Sequence, residues 1–199
     1  MVPGVGRGVS RRGGASEGDG IPPYGISILP RANGAVKRDE EVVVISLLIP
    51  GLGAFAWRHL VLDVNGTLTV GGELVPGVPE RVRVLAGSLE VHLLTADIRG
   101  NVADLARRLG VAWTQVQREH EDEQKRDYVE GLGAEGVIAI GNGNNDALML
   151  SAASLGIVVI GPEGAATRAI MAADLAVHDI VDALDVLLDT TRLAATLRT

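Results

Sequence analysis

The sequence predicts an α/β domain, a three-layer, Rossmann-like parallel sheet with helices on both faces. Two observations carry this prediction. Short apolar runs rich in β-branched residues recur along most of the chain: HLVLDV (59–64), EVHLLTA (90–96), VAWTQV (111–116), GVIAIG (136–141), LGIVVIG (155–161) and DLAVH (174–178). Between them lie segments with helical character, ten or so residues long, and that alternation implies parallel strands covered on both sides.

In chain order, residues 1–41 hold nine of the 26 glycines and four of the eight prolines. This stretch reads as a disordered tail, because it has too little apolar surface to offset its ordering entropy. The domain is expected over 42–199. It opens with VVVISLLIPGLGAFAW (42–57), which is shorter than the ~20 apolar residues of a membrane span. Pro50-Gly51 also divides it, so two strands joined by a turn are expected. VPERVRVLAG is a helix with Pro79 near its first turn. NVADLARRLG is a helix stopped by Gly110. EDEQKRDYVEGLG is a helix whose leading acids suit its dipole. NDALMLSAA and EGAATRAIMAA are helices, and IVDALDVLLDTTRLAATL (180–197) is read as one closing helix.

Composition narrows the function. Apolar residues make up 47% of the 199, enough for a substantial core. The absence of cysteine excludes disulfides and thiolate metal sites and suits a reducing, cytoplasmic location. Aromatic residues at 3% cannot build a stacking platform for single-stranded nucleic acid. The net charge of −7 disfavours a polyanionic partner. No nucleic-acid or membrane partner is expected, and no secretory pattern is present.

In a parallel sheet, sites form at the carboxyl ends of the strands. Polar groups stand at four such ends: Asp63; Thr95; Asn142 with Asn144, Asn145 and Asp146; and Gly161-Pro162-Glu163, which carries no obvious chemistry. LVLDVNGTLTV (60–70) has two competing readings. Asn-Gly between apolar residues is a strong hairpin signal. That leaves Asp63 unexplained, since a carboxylate in a buried run is costly without a partner or a metal. Lysine usage adds a second clue: of 18 basic residues only Lys37 and Lys125 are lysine. A compact point charge at Lys125 suits a carboxylate or phosphate partner. GNGNNDALML (141–150) has more polar groups than one helix cap needs, and a metal or phosphate site would use them all.

Asp63, Thr95, Lys125 and GNGNND, in that order, resemble the four motifs of the haloacid dehalogenase-like (HAD) phosphohydrolase superfamily. DVNGTLT is similar to the motif DxxGTLT, LLTAD to the second motif, and Lys125 with Val129 and Leu132 to the third. GNGNNDALML is similar to GDGxNDxxxL. Among its members the chain most resembles P-type-ATPase phosphorylation domains and, better still, soluble P-type-ATPase-like phosphatases, over residues 42–199. The resemblance implies that Asp63 is a nucleophile forming an aspartyl-phosphate. It implies Mg²⁺ held by Asp63, the Asn65 backbone carbonyl, Asn142 and Asp146. Thr95, Ala96 and the backbone of Val64, Asn65 and Gly66 would hold phosphate oxygens. Lys125 would neutralise charge, with Asn145 and Thr67 in support.

Two positions depart from the family pattern. Asn65 stands where phosphatases of the superfamily carry a general acid–base Asp, and Asn142 stands where they carry a charged metal ligand. The expected function is Mg²⁺-dependent hydrolysis of a phosphomonoester or phosphoanhydride on a small phosphorylated substrate. The alternative is a very slow or non-catalytic phosphate-binding module. Only a short hairpin, one helix and one strand fit between Asp63 and Thr95, so the domain is read as capless. Its site is then open, or closed by a second copy of the chain. The scattered histidines, His59, His92, His120 and His178, are not read as catalytic. Trp57 and Trp113 are expected in the core, and EHEDEQ (119–124) as a solvated helix start.

Overall fold

The computed structural model describes residues 24–29, 42–96 and 101–199. The apolar runs form strands β1 (Tyr24–Leu29), β2 (Val42–Ile49), β3 (Gly53–Trp57), β4 (His59–Asp63), β5 (Thr69–Val70), β6 (Glu73–Leu74), β7 (Glu90–Thr95), β8 (Ala112–Gln115), β9 (Val137–Gly141), β10 (Leu155–Val159) and β11 (Leu175–Val177). The helices are α1 (Val78–Leu85), α2 (Asn101–Leu109), α3 (Glu121–Gly131), α4 (Ala147–Ala152), α5 (Thr167–Ala172), α6 (Ile180–Leu188) and α7 (Thr190–Leu197). Six strands make one sheet in the order β11-β10-β9-β4-β7-β8, and every pairing in it is parallel.

β4 lies at the centre, fully buried, between β7 and β9. Because strand side chains alternate, its residues serve two separate cores. Leu60 and Leu62 join Leu93, Ile138, Ile157 and the inner faces of α1, α2 and α6. Val61 joins Leu94, Ala139 and Val158 with Val129 of α3, Met149 of α4 and Ala169 of α5. This is the expected three-layer arrangement. His59, Val61 and Asp63 share one face, so Asp63 is delivered to the side that α3 and α4 cover.

Between β4 and β7 the chain forms only the β5–β6 hairpin and α1. No cap domain is inserted there, as expected.

Three expectations need correction. Residues 24–29, placed in the tail by their glycine- and proline-rich surroundings, form β1, antiparallel to β2 with Tyr24 opposite Leu47. The rest of the stretch 1–41 lies outside the described residues. β2 and β3 form the expected antiparallel pair, but with β1 they make a separate three-stranded sheet. The closing helix is two helices, because Asp189 leaves the helical conformation and its side chain accepts from the Thr191 amide. Finally, Trp57 is buried as expected, donating through Nε1 to Ser154, whereas Trp113 is 40% exposed. It sits on β8, an edge strand with a neighbour on one side only.

Candidate active site

Asp63 is the last residue of β4, and the chain turns sharply after it. The Val64 carbonyl accepts from the amides of Leu68 and Thr69 and from the Thr69 hydroxyl. Gly66 is required in this turn. Its φ is +79°, and a Cβ there would fall 2.6 Å from Asn142 Nδ2 and 3.0 Å from Glu163 Oε2. The hairpin and nucleophile readings of LVLDVNGTLTV are therefore compatible. The turn feeds the β5–β6 hairpin and leaves Asp63 at the strand end.

Three further segments converge on Asp63. From α3, the Lys125 ammonium is fully buried and lies 2.7 Å from Asp63 Oδ1, 2.8 Å from Asp146 Oδ1 and 2.9 Å from Glu121 Oε1. From the β9–α4 junction, Asp146 is fully buried, and its Oδ2 accepts from the amides of Asn142 and Gly143. That bracket needs Gly141, since a Cβ there would meet the Asp146 carboxylate at 2.6 Å. From the turn, the Thr67 hydroxyl lies 3.0 Å from Asp63 Oδ2 and 3.2 Å from Asn142 Oδ1. Thr95, buried at the end of β7, accepts from Asn65 Nδ2 at 3.4 Å.

The electrostatics follow from burial. Three carboxylates surround one ammonium, so the cluster has a surplus of negative charge. Burial raises the Asp63 carboxyl to about 7, with Asp146 pushing the same way and Lys125 and Thr67 opposing. Burial by itself would lower Lys125, but the charges of Asp63, Asp146 and Glu121 outweigh it and hold the ammonium well above its ordinary value. Lys125 is thus a permanent cation, and Asp63 is the carboxyl whose charge the site most resists.

A cavity of about 400 Å³ opens over this cluster, lined by Asp63, Asn65, Thr95, Ala96, Arg118, Glu121 and Asn145. A second, of about 270 Å³, lies beside it under the hairpin and shares Asn65 and Thr95. The residues singled out from sequence are therefore brought together, with differences in detail. The Gly66 amide donates to the Thr69 carbonyl within the turn, so it is not aimed at a phosphate. Asp146 is enclosed, both oxygens taken by Lys125 and backbone amides, so it brackets the lysine instead of facing the cavity. Asn145 donates to Glu121.

Two carboxylates were not anticipated. Glu121, expected on a solvated helix start, pairs with Lys125. The signal was present, since Glu121 stands four residues before Lys125 and such pairs face each other on a helix. Glu163, in the segment without obvious chemistry, reaches back to accept from the Gly71 amide of the hairpin. Its approach depends on the fold, and no local pattern marks it. Arg118 at the cavity rim was likewise not singled out.

No protein-family model matches the chain. A protein from Streptomyces avermitilis assigned to the HAD hydrolase family superposes with a TM-score of 0.55 at 20% identity, covering 66% of this chain and 84% of that one. The 3-deoxy-D-manno-octulosonate 8-phosphate phosphatase of Moraxella catarrhalis, solved with magnesium, phosphate and the sugar acid, superposes with a TM-score of 0.53 at 17% identity, covering 71% and 94%. The chain has the HAD-like fold. Among sequence relatives, a soluble P-type ATPase-like phosphatase of Methanocaldococcus jannaschii is 28% identical over 127 residues, 62% of this chain and 46% of that protein. An uncharacterized protein of the same archaeon is 60% identical over 62 residues, 31% of this chain and 67% of its own length, and the two belong to one family. The HAD-like chain thus spans less than half of the phosphatase it matches. No helix among its described residues is long and apolar enough to cross a membrane.

Proposed function

We propose that the chain is a phosphohydrolase that works through Asp63 on a small phosphomonoester or phosphoanhydride. The observation that carries this reading is the fully buried Lys125 ammonium, held between Asp63 and Asp146 behind an open cavity that Asp63 lines. In this reading a carboxylate oxygen of Asp63 bonds to phosphorus while the bond to the leaving oxygen breaks with its electron pair. The product is an aspartyl-phosphate, which water then hydrolyses. Lys125 keeps the Asp63 carboxylate oriented and offsets charge on the phosphoryl group. In the same reading Thr95 and the backbone near Ala96, Val64 and Asn65 would receive phosphoryl oxygens. The relative named as a phosphatase supports the same chemistry.

A divalent cation fits the residues present. The donor set is all oxygen, which suits Mg²⁺, and a bound dication would offset both the burial that raises Asp63 and the lesser push from Asp146. Asp63, the Asn65 carbonyl and Asn142 would hold it; enclosed Asp146 would act from behind them. When bound, such an ion draws charge off the transferring phosphoryl group.

Replacing Asp63 with Asn should abolish Mg²⁺-dependent phosphate release from an aryl phosphate, by at least about 10³-fold. Undiminished release by this variant would overturn the reading. Asn65 and Asn142 favour a second reading, a module that binds phosphate and turns over very slowly. Mg²⁺-dependent labelling with beryllofluoride, followed by a turnover assay, separates the two: labelling without turnover identifies the module.

A further inference from the structure

At the opposite, amino-terminal edge of the sheet is a second cluster of side chains. The parallel register sets His59 of β4 beside Glu90 of β7, and His92 lies two residues further along β7 on the same face. His59 Nδ1 lies 3.3 Å from His92 Nε2 and 3.6 Å from Glu90 Oε2, and these three atoms all lie within 4.8 Å of one another. We propose that His59, His92 and Glu90 form a binding site for a divalent transition-metal ion of the zinc class, with the fourth position open to solvent.

The spacing supports three ligands on one ion. With metal–ligand bonds of about 2.0–2.1 Å, neighbouring ligand atoms of a tetrahedral site are roughly 3.3–3.4 Å apart. The nitrogen pair already has that separation, and the carboxylate is slightly beyond it. Glu90 is on the surface, so its side chain has room to close the difference. The other atoms are arranged as a metal site needs. His92 Nδ1 is 3.1 Å from the Tyr128 hydroxyl, which lies 3.5 Å from Thr114 Oγ1. With the Nδ1 proton directed at Tyr128, the His92 Nε2 lone pair accepts from His59 Nδ1–H; a bound ion would take the place of that proton, and the Tyr128 contact is an outer hydrogen bond of the kind that fixes the ligating tautomer. Arg58 engages the other Glu90 oxygen, Oε1, at 3.6 Å, which leaves Oε2 toward the imidazoles. Burial lowers both imidazoles below their ordinary value, and for His92 the neighbouring His59 adds to this.

The site is separate from the one at Asp63. Three residues of β4 lie between His59 and Asp63, which are four residue steps or roughly 13 Å of strand apart. The ligand types also differ: imidazole-rich here, all oxygen there. The inference therefore stands whatever the outcome for phosphate chemistry. A bound ion would join the amino ends of β4 and β7.

Titration of the chelator-treated protein with Zn²⁺, and with Co²⁺ followed by visible absorption, tests the site. One ion per chain is expected, with Co²⁺ absorption of four-coordinate intensity. His92→Gln and Glu90→Gln should each weaken binding by at least about tenfold, and Tyr128→Phe by a comparable factor. Glu90 is exposed, so its variant keeps the test valid if a histidine variant fails to fold, which circular dichroism would report. Asp63→Asn should bind Zn²⁺ as the wild type does. Binding lost in Asp63→Asn, binding retained in both His92→Gln and Glu90→Gln, or no Zn²⁺ bound at micromolar concentrations would each overturn the assignment.

Discussion

The two ends of β4 handle buried polarity in opposite ways. At the carboxyl end, Asp63, Asp146 and Glu121 crowd one ammonium, and the fold retains more negative charge than it neutralises. At the amino end, burial lowers both His59 and His92, the two rings are hydrogen-bonded to each other, and His92 is also paired with Tyr128. Each end has partners, but only the carboxyl end encloses a surplus of like charge. A surplus of this kind is commonly found where a site must bind a cation or a developing charge.

Substitutions can break or sharpen this contrast. The largest stability effect is expected from Lys125→Met. It leaves three carboxylates without their cation and should cost about 3–5 kcal/mol, read from chemical denaturation. A loss under 1 kcal/mol would mean the carboxylates are not charged in the fold. Asn65→Asp restores a general acid–base at the cavity and should raise phosphate release, by up to about 10²-fold, within the usual range for such groups. No gain in steady-state turnover would indicate that another group, with Glu121 the nearest candidate, already fills the role.

A smaller effect with the opposite sign is expected from Asp63→Asn in the metal-free protein. The Asp63 carboxyl titrates near 7 in the fold against 3.8 when unfolded, so the folded state binds more protons between those values. Wild-type stability should therefore fall as pH rises from about 4 to 7 and level off above that. The amide variant should lack this decline and melt several degrees higher at pH 8, roughly 5 °C. Parallel pH profiles for the two proteins in calorimetry would contradict the assignment. His59→Gln, at the other end, should leave phosphate release unchanged.

How far the sequence revealed these features depends on range. The sheet was legible because its central strands β4, β9 and β10 are apolar runs, and the site was legible because Asp63, Thr95 and the Asn142–Asp146 segment follow strand ends while Lys125 stood out as a rare lysine. Glu121 was within reach of a helix-spacing argument. The pairing of His59 with His92 was not, because it depends on the register between β4 and β7, which neither run encodes alone. Glu163 and β1 escaped for the same reason: each gains its meaning from a partner remote in sequence. Trp113 misled because an edge strand and a central strand can have similar composition.

The central place of β4 also bears on the order of events in folding. Its partner β9 arrives only after three crossover connections, through α1, α2 and α3, with His59 beside Val137. Pairings this distant must overcome loop-closure entropy before any contact rewards them, which slows folding. Lys125 and Asp146 lie on that later half of the chain, so the buried charge cluster cannot assemble until the middle of the sheet closes. During refolding from denaturant, helical circular dichroism should recover first and beryllofluoride binding last. Simultaneous recovery would indicate that the β4–β9 pairing is already formed in the earliest compact state.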